Sequence, residues 1–140
     1  MNLNLENQRV IHNDCFRTRA YERIIQPSFC EYAEYLLTFY CKEKKIKYKQ
    51  GLNEIVGPFI LLKERINISF SRIYNLFSNF IEKFLTNFFL DDEFFSLQSN
   101  FSLINLLLLY HEPEIQNYLD ICLLTPEMYS ANWLLTIFAK

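Results

Sequence analysis

Apolar side chains recur at spacings of three and four residues along most of this chain, and this period constrains the fold more than any other feature. In residues 30–45 the spacing falls on Tyr32, Tyr35, Leu36, Phe39 and Tyr40, which places them along one side of a helix. Residues 69–89 repeat the pattern with Phe70, Ile73, Phe77, Phe80, Ile81, Phe84 and Phe88. No stretch alternates as a half-buried strand would. The pattern therefore predicts an all-α fold.

Charge and proline indicate where later helices begin. The acidic run Asp91, Asp92 and Glu93 suits the N-terminus of a helix through residue 112, by capping and by charge. Pro113 and Pro126 are each followed by Glu, and proline is well tolerated in a first helical turn, so each is predicted to begin a helix. Only 2 glycines occur in 140 residues, which leaves little flexible linker. One continuous helical array is expected.

Composition excludes several classes of function. Hydrophobic residues make up 51% of the chain, enough for a core, and a formal charge of -2 provides no field for nucleic acid. The cysteines are scattered, without a C-x-x-C pair or paired histidines, so we expect reduced core thiols and no metal site; they are Cys15, Cys30, Cys41 and Cys122. The longest apolar run, residues 103–110, is too short to span a bilayer. A soluble cytoplasmic protein is expected.

Both glycines fall within residues 47–63. Gly51 follows the basic, polar run KKIKYKQ and precedes LNEIVGPFILL, which is typical of a buried helix with an irregularity at Gly57 and Pro58. The loop would bring Tyr48 and Gln50 to the start of that helix. An exposed Gln amide both donates and accepts hydrogen bonds, as the orientation of a water molecule requires. An ordinary helix-entry turn capped by Gln50 is the alternative.

Residues 10–24 contain a second polar group. Asp14 and Arg17 are three residues apart, so on a helix they share a face and the carboxylate can hold the guanidinium in one direction. An arginine held in that way can stabilise charge that develops on a phosphate. The alternative is a surface ion pair that contributes a few tenths of a kcal/mol.

The two segments together, IHNDCFRT and YKQGLNEI, resemble the signature motifs of the TBC domain, the Rab GTPase-activating fold, whose patterns are I-x-x-D-x-x-R and Y-x-Q. The matching positions are Ile11, Asp14 and Arg17, then Tyr48, Gln50 and Gly51. The segment ANWLLTIFA resembles the W-x-L-T-x-F stretch found deep in that domain. The chain is thus similar to a single TBC-type multi-helix array over residues 1–140, expected to be truncated at the C-terminus and also at the N-terminus.

The resemblance implies a GTPase activator rather than an enzyme in its own right. Its partner would be a Rab-family small GTPase in the GTP form, and GTP and Mg would belong to that partner, so no cofactor is expected. Arg17 would be the arginine finger and Gln50 the glutamine finger. Asp14 would orient Arg17, while Tyr48, Gly51 and Asn53 would shape the loop that carries Gln50.

Other features of the resemblance leave a second function open. LLTFYCKEKKIKYKQ and LLLLYHEPEIQNYLD are similar to a subset of the family that includes Golgi-associated members, some of which lack the catalytic pair. The alternative function is therefore a non-catalytic TBC module, a scaffold or vesicle-tether interaction domain. Peripheral association with Golgi or endosomal membranes through partners is implied in either case. Arg19, Ala20 and Tyr21 stand where many TBC domains carry a proline, so the backbone there is expected to run differently.

Overall fold

In the described part of the chain, all regular secondary structure is helical and no strand occurs. The structure is a computed structural model that describes residues 5–18, 27–89, 91 and 93–138. The helices within these ranges are α1 Gln8–Arg17, α2 Pro27–Lys44, α3 Leu52–Ile66, α4 Phe70–Phe84, α5 Thr86–Phe89, α6 Phe95–His111, α7 Pro113–Ile121 and α8 Pro126–Thr136. The predicted all-α, TBC-type fold is confirmed.

The chain divides into two compact units, Met1–Thr86 and Asn87–Lys140. In the first unit α2 packs against α1, α3 and α4, and α1 also contacts α3. In the second unit α6 packs against both α7 and α8. The first unit holds every residue predicted for the site, so its packing determines the candidate site.

The core of the first unit forms around α2, whose length and apolar period let it contact helices on several sides. Its fully buried side chains include Phe29, Ala33, Leu36, Leu37 and Tyr40. They are joined by Ile11 and Cys15 from α1, Leu52, Val56 and Ile60 from α3, and Ile73 and Phe77 from α4. The Tyr40 and Phe77 rings meet edge to face with centroids 5.2 Å apart.

Two members of the predicted apolar stripes are exposed. Tyr32 is exposed, and the Nζ of Lys63 lies 3.9 Å from its ring centroid, so the ring borders solvent beside a cation instead of entering the core. Phe84 is exposed at the last turn of α4. The helical pattern predicted for residues 69–89 is interrupted once, because Leu85 leaves helical geometry at φ -135° and separates α4 from α5.

The predicted helix starts in the second unit are confirmed where the structure describes them. Pro113 and Pro126 stand in the first turns of α7 and α8. Asp91 precedes α6, where its Oδ2 accepts the Ser96 backbone N–H at 3.3 Å and its Oδ1 accepts that of Glu93 at 3.0 Å. Asp92 lies outside the described residues. The carboxylate thus satisfies backbone donors that the helix start leaves open.

The cysteine prediction is correct for three of the four thiols. Cys15, Cys30 and Cys41 are buried and free, whereas Cys122 is free but exposed just after α7 and is not a core thiol. Burial raises the pKa of the Cys41 thiol to about 12, so that thiol stays protonated at neutral pH. Among the helices that the structure describes, none is long and apolar enough to cross a bilayer.

Candidate functional site

Asp14 and Arg17 lie on α1 and form an ion pair. The Arg17 Nη2 donates to Asp14 Oδ1, as the three-residue spacing on a helix allows. The two partners differ sharply in environment, because the Asp14 side chain is 3% exposed and the Arg17 side chain is 71% exposed. A buried carboxylate therefore fixes the direction of a guanidinium that remains open to solvent.

The second oxygen of Asp14 is held by the loop between α2 and α3. The Tyr48 hydroxyl donates to Asp14 Oδ2 at 3.0 Å and lies 3.2 Å from Asn53 Oδ1. Burial, followed by the charge of Asp14, raises the pKa of Tyr48 well above its ordinary value. The phenol consequently remains protonated and keeps its proton for the carboxylate.

Gly51 and Asn53 shape the start of α3. Gly51 adopts φ 110° and ψ -35°, a left-handed region that strains any residue with a Cβ, which explains glycine at this position. Its backbone N–H donates to Asn53 Oδ1 at 3.0 Å. Asn53 is buried, so the oxygen and the nitrogen of its side-chain amide form their hydrogen bonds within the protein instead of with water.

Thr18 closes the network from the side of α1. Its hydroxyl accepts from Asn53 Nδ2 at 2.8 Å and donates to the Asp14 backbone carbonyl at 2.9 Å. We define the buried network as Asp14, Thr18, Tyr48 and Asn53, joined by these bonds. Reasoning from the sequence missed Thr18, although a hydroxyl residue directly after Arg17 was a signal that could have found it. The buried network ties the end of α1 to the start of α3.

Gln50 lies in the turn between Tyr48 and Gly51, and its side chain is exposed. Tyr48, two residues before Gln50, is anchored through its hydroxyl to Asp14. Gly51, directly after Gln50, is anchored through its N–H to Asn53. The backbone that carries Gln50 is therefore held on both sides, while its side chain is open to solvent. Arg17 and Gln50 are attached in this way to the same buried network.

This arrangement is suited to stabilising an anion and orienting a water, because guanidinium N–H groups donate in a fixed fork and a carboxamide both donates and accepts. In the described ranges, no group of three or more His, Cys, Asp or Glu residues could hold a metal ion. Arg19, Ala20 and Tyr21, where the motif departs from the family pattern, lie outside the described residues.

Comparison with known proteins agrees with the motifs. The Rab-GTPase-TBC domain matches residues 2–140. A "TBC domain-containing protein kinase-like protein" of Homo sapiens is 26% identical over 136 residues, which is 96% of this chain and 15% of that protein. The Mus musculus protein of the same name gives the same values. Its Dictyostelium discoideum namesake is 32% identical over 94 residues, 66% of this chain and 9% of that protein.

The matches define a family, although the chain spans only 15% of the length of the human and mouse relatives. The family match covers more than half of the chain and includes both α1 and the loop before α3. The chain belongs to the Rab-GTPase-TBC domain family.

Proposed function

We propose that this chain accelerates GTP hydrolysis by a Rab-family GTPase, and that it supplies Arg17 and Gln50 in trans. The observation that carries the proposal is the ion pair of Arg17, in which an exposed guanidinium is held by a buried carboxylate. Stability alone gives little reason for this ion pair, because exposed ion pairs contribute at most about 1 kcal/mol. An arginine that must point into a partner needs its direction fixed before contact.

The chemistry follows from the charge that develops during phosphoryl transfer. Negative charge builds on the oxygens around the γ-phosphate, and an arginine inserted in trans is worth about 10³ to 10⁵ in rate. Arg17 would donate to those oxygens, and the amide of Gln50 would orient the attacking water. GTP and Mg belong to the GTPase, so this chain is an activator without a cofactor of its own.

The remaining site residues have positioning roles in this proposal. Asp14 holds Arg17 through one carboxylate oxygen and receives the Tyr48 hydroxyl on the other. Asn53 fixes the Gly51 N–H and through it the turn of Gln50. Contact with phosphate or water is left to Arg17 and Gln50 alone.

The test is a single-turnover assay of phosphate release from a panel of Rab GTPases loaded with GTP. Arg17→Lys and Gln50→Ala should each lower the stimulated rate by two orders of magnitude or more, since a point charge cannot replace the planar fork and an alanine cannot orient water. Arg72→Ala is the control, because Arg72 is an exposed arginine of the same unit that lies on α4 instead of α1. Circular dichroism should show equal helix content in all variants.

The same assay decides against the alternative, a non-catalytic scaffold or vesicle-tether module. A chain that binds GTP-loaded Rab proteins but leaves hydrolysis at its intrinsic rate would establish that alternative. Equal activity of the wild type and Arg17→Lys would also refute the role of Arg17. The cytoplasmic location and the peripheral association with Golgi or endosomal membranes stay predictions, which imaging of the tagged chain would test.

A further inference from the structure

Phe16 is an exposed aromatic residue placed directly beside Arg17. It is 56% exposed on the outer side of α1, although its neighbours Asp14 and Cys15 are buried. Its ring lies 4.7 Å from the His12 ring, centroid to centroid. His12 is held in turn, because its Nδ1 lies 2.8 Å from Glu34 Oε2 on α2. The Phe16 ring thus contacts a tethered side chain, while more than half of the residue is open to solvent.

Exposure alone would mean little, since single apolar residues are common on protein surfaces. The position is what matters. Consecutive Cα atoms are about 3.8 Å apart, so Phe16 starts close to Arg17 even though successive side chains on a helix point about 100° apart. A standard interface buries about 800 Å² per partner, equivalent to a disc of about 16 Å radius. A contact of that size centred on Arg17 therefore also reaches the side of α1 that carries Phe16.

We propose that Phe16 is the apolar anchor of the GTPase interface, and that it fits a hydrophobic depression beside the partner's nucleotide phosphates. This inference rests on the proposed function. Aromatic side chains near the centre of an interface dominate binding energy, and a ring already held by a neighbour loses little entropy when it binds. Phe16 sets affinity for the GTPase, while Arg17 and Gln50 act on the chemistry.

The charge around Phe16 favours a nucleotide-bearing partner over a second copy of this chain. The exposed outer side of α1 carries Arg9 and Arg17 as well as Phe16. In a two-fold symmetric contact through this face the same cations would face each other, which is unfavourable. Phosphate groups beside an apolar depression complement both features.

The chain offers a matched control for the test. Phe84 is 60% exposed, also belongs to the first unit and also lies in the last turn of its helix, with the Phe80 ring four residues earlier at 5.1 Å. Phe16→Ala and Phe84→Ala therefore remove equivalent rings from equivalent settings. Only the first lies beside Arg17 in sequence.

Two quantities are measured for each variant in the full chain: the Kd for a Rab GTPase held with a non-hydrolysable GTP analogue, and the KM and kcat of stimulated hydrolysis. We expect Phe16→Ala to raise Kd and KM about tenfold or more with kcat within twofold of the wild type. Phe16→Leu should recover most of the affinity, and Phe84→Ala should match the wild type.

The outcomes separate this inference from the proposed function. If the wild type accelerates hydrolysis and Phe16→Ala keeps its Kd and KM, only the anchor is wrong. If the wild type binds without acceleration, the proposed function fails and the two Kd values decide the anchor. A wild type that neither binds nor accelerates overturns both. A change confined to self-association in Phe16→Ala, seen by light scattering, would assign Phe16 to a contact between copies instead.

Discussion

Removal of the Tyr48 hydroxyl tests whether the buried network holds the site together. Tyr48→Phe keeps the ring and deletes one oxygen, which donates to Asp14 Oδ2 at 3.0 Å. Asp14 is 3% exposed, so water cannot replace the lost donor without opening the structure. The substitution therefore leaves a buried carboxylate short of one partner.

The magnitude follows from that loss. A hydrogen bond to a charged group contributes roughly 1.5–3 kcal/mol, and Tyr48→Phe should lower the free energy of unfolding by about that amount. Tyr74→Phe is the matched control, because Tyr48 and Tyr74 are 7% and 8% exposed. Unlike the Tyr48 hydroxyl, the Tyr74 hydroxyl is buried without a hydrogen-bond partner among the described residues. Its removal should be neutral or slightly stabilising.

Urea unfolding followed by far-UV circular dichroism measures both effects. With a slope of roughly 2 kcal/mol per M, Tyr48→Phe should move the midpoint down by about 1 M, while Tyr74→Phe leaves it in place. Equal midpoints for Tyr48→Phe and the wild type would show that the 3.0 Å contact carries no net stability. An equal loss in both variants would show that deleting a buried hydroxyl is costly at either position, and that the bond to Asp14 does not account for the loss.

Two further predictions concern the turn and the core. Gly51→Ala should destabilise the chain by roughly 1–3 kcal/mol in the same urea assay, because a Cβ is strained at φ 110°; an unchanged midpoint would refute the assigned backbone geometry. Stability should fall above about pH 9, because an unfolded Cys41 thiol releases its proton there whereas burial raises the pKa of the folded thiol to about 12. The stability that the buried, protonated Cys41 thiol contributes is fully present below pH 9 and is lost as pH rises through 12. Cys41→Ala should therefore make the fall in stability with pH less steep by about 1.4 kcal/mol per pH unit within this window. If the stability of Cys41→Ala falls with pH as steeply as that of the wild type, the raised pKa of the folded Cys41 thiol is contradicted.

Local physics made most of the helices predictable. Pro113 and Pro126 begin helices because proline suits a first turn wherever it occurs, and the buried positions of α2 follow the three-and-four period. The exposure of Tyr32 and Phe84 was not predictable in the same way. A period identifies a face, but how much of that face neighbouring helices cover depends on how the whole unit packs. The helix break at Leu85 could not be predicted either, because no Gly or Pro marks it in the sequence.

The contacts of the site also differ in how far apart in sequence their residues are, and this decides which of them could be predicted. The Asp14 and Arg17 pair could be predicted, because three residues on a helix suffice to bring them together. The bonds from Asp14 to Tyr48 and from Thr18 to Asn53 span 34 and 35 residues, and they exist only once α1 packs against α3. No rule of sequence spacing predicts contacts between residues that far apart. The family motifs placed Tyr48 near the site, whereas Thr18 had to be found in the structure.

The long-range bonds also show how one set of side chains would serve both stability and the proposed function. Each of the two exposed side chains is attached to the buried network at one end only, Arg17 through Asp14 and Gln50 through the backbone of Gly51. The polar groups of the network are bonded to each other, so the exposed ends contribute little to holding α1 against α3. Their free ends can therefore be oriented toward a partner without loss of folding energy. Because Arg17 and Gln50 share this support, loosening Asp14 or Asn53 would misplace both side chains together.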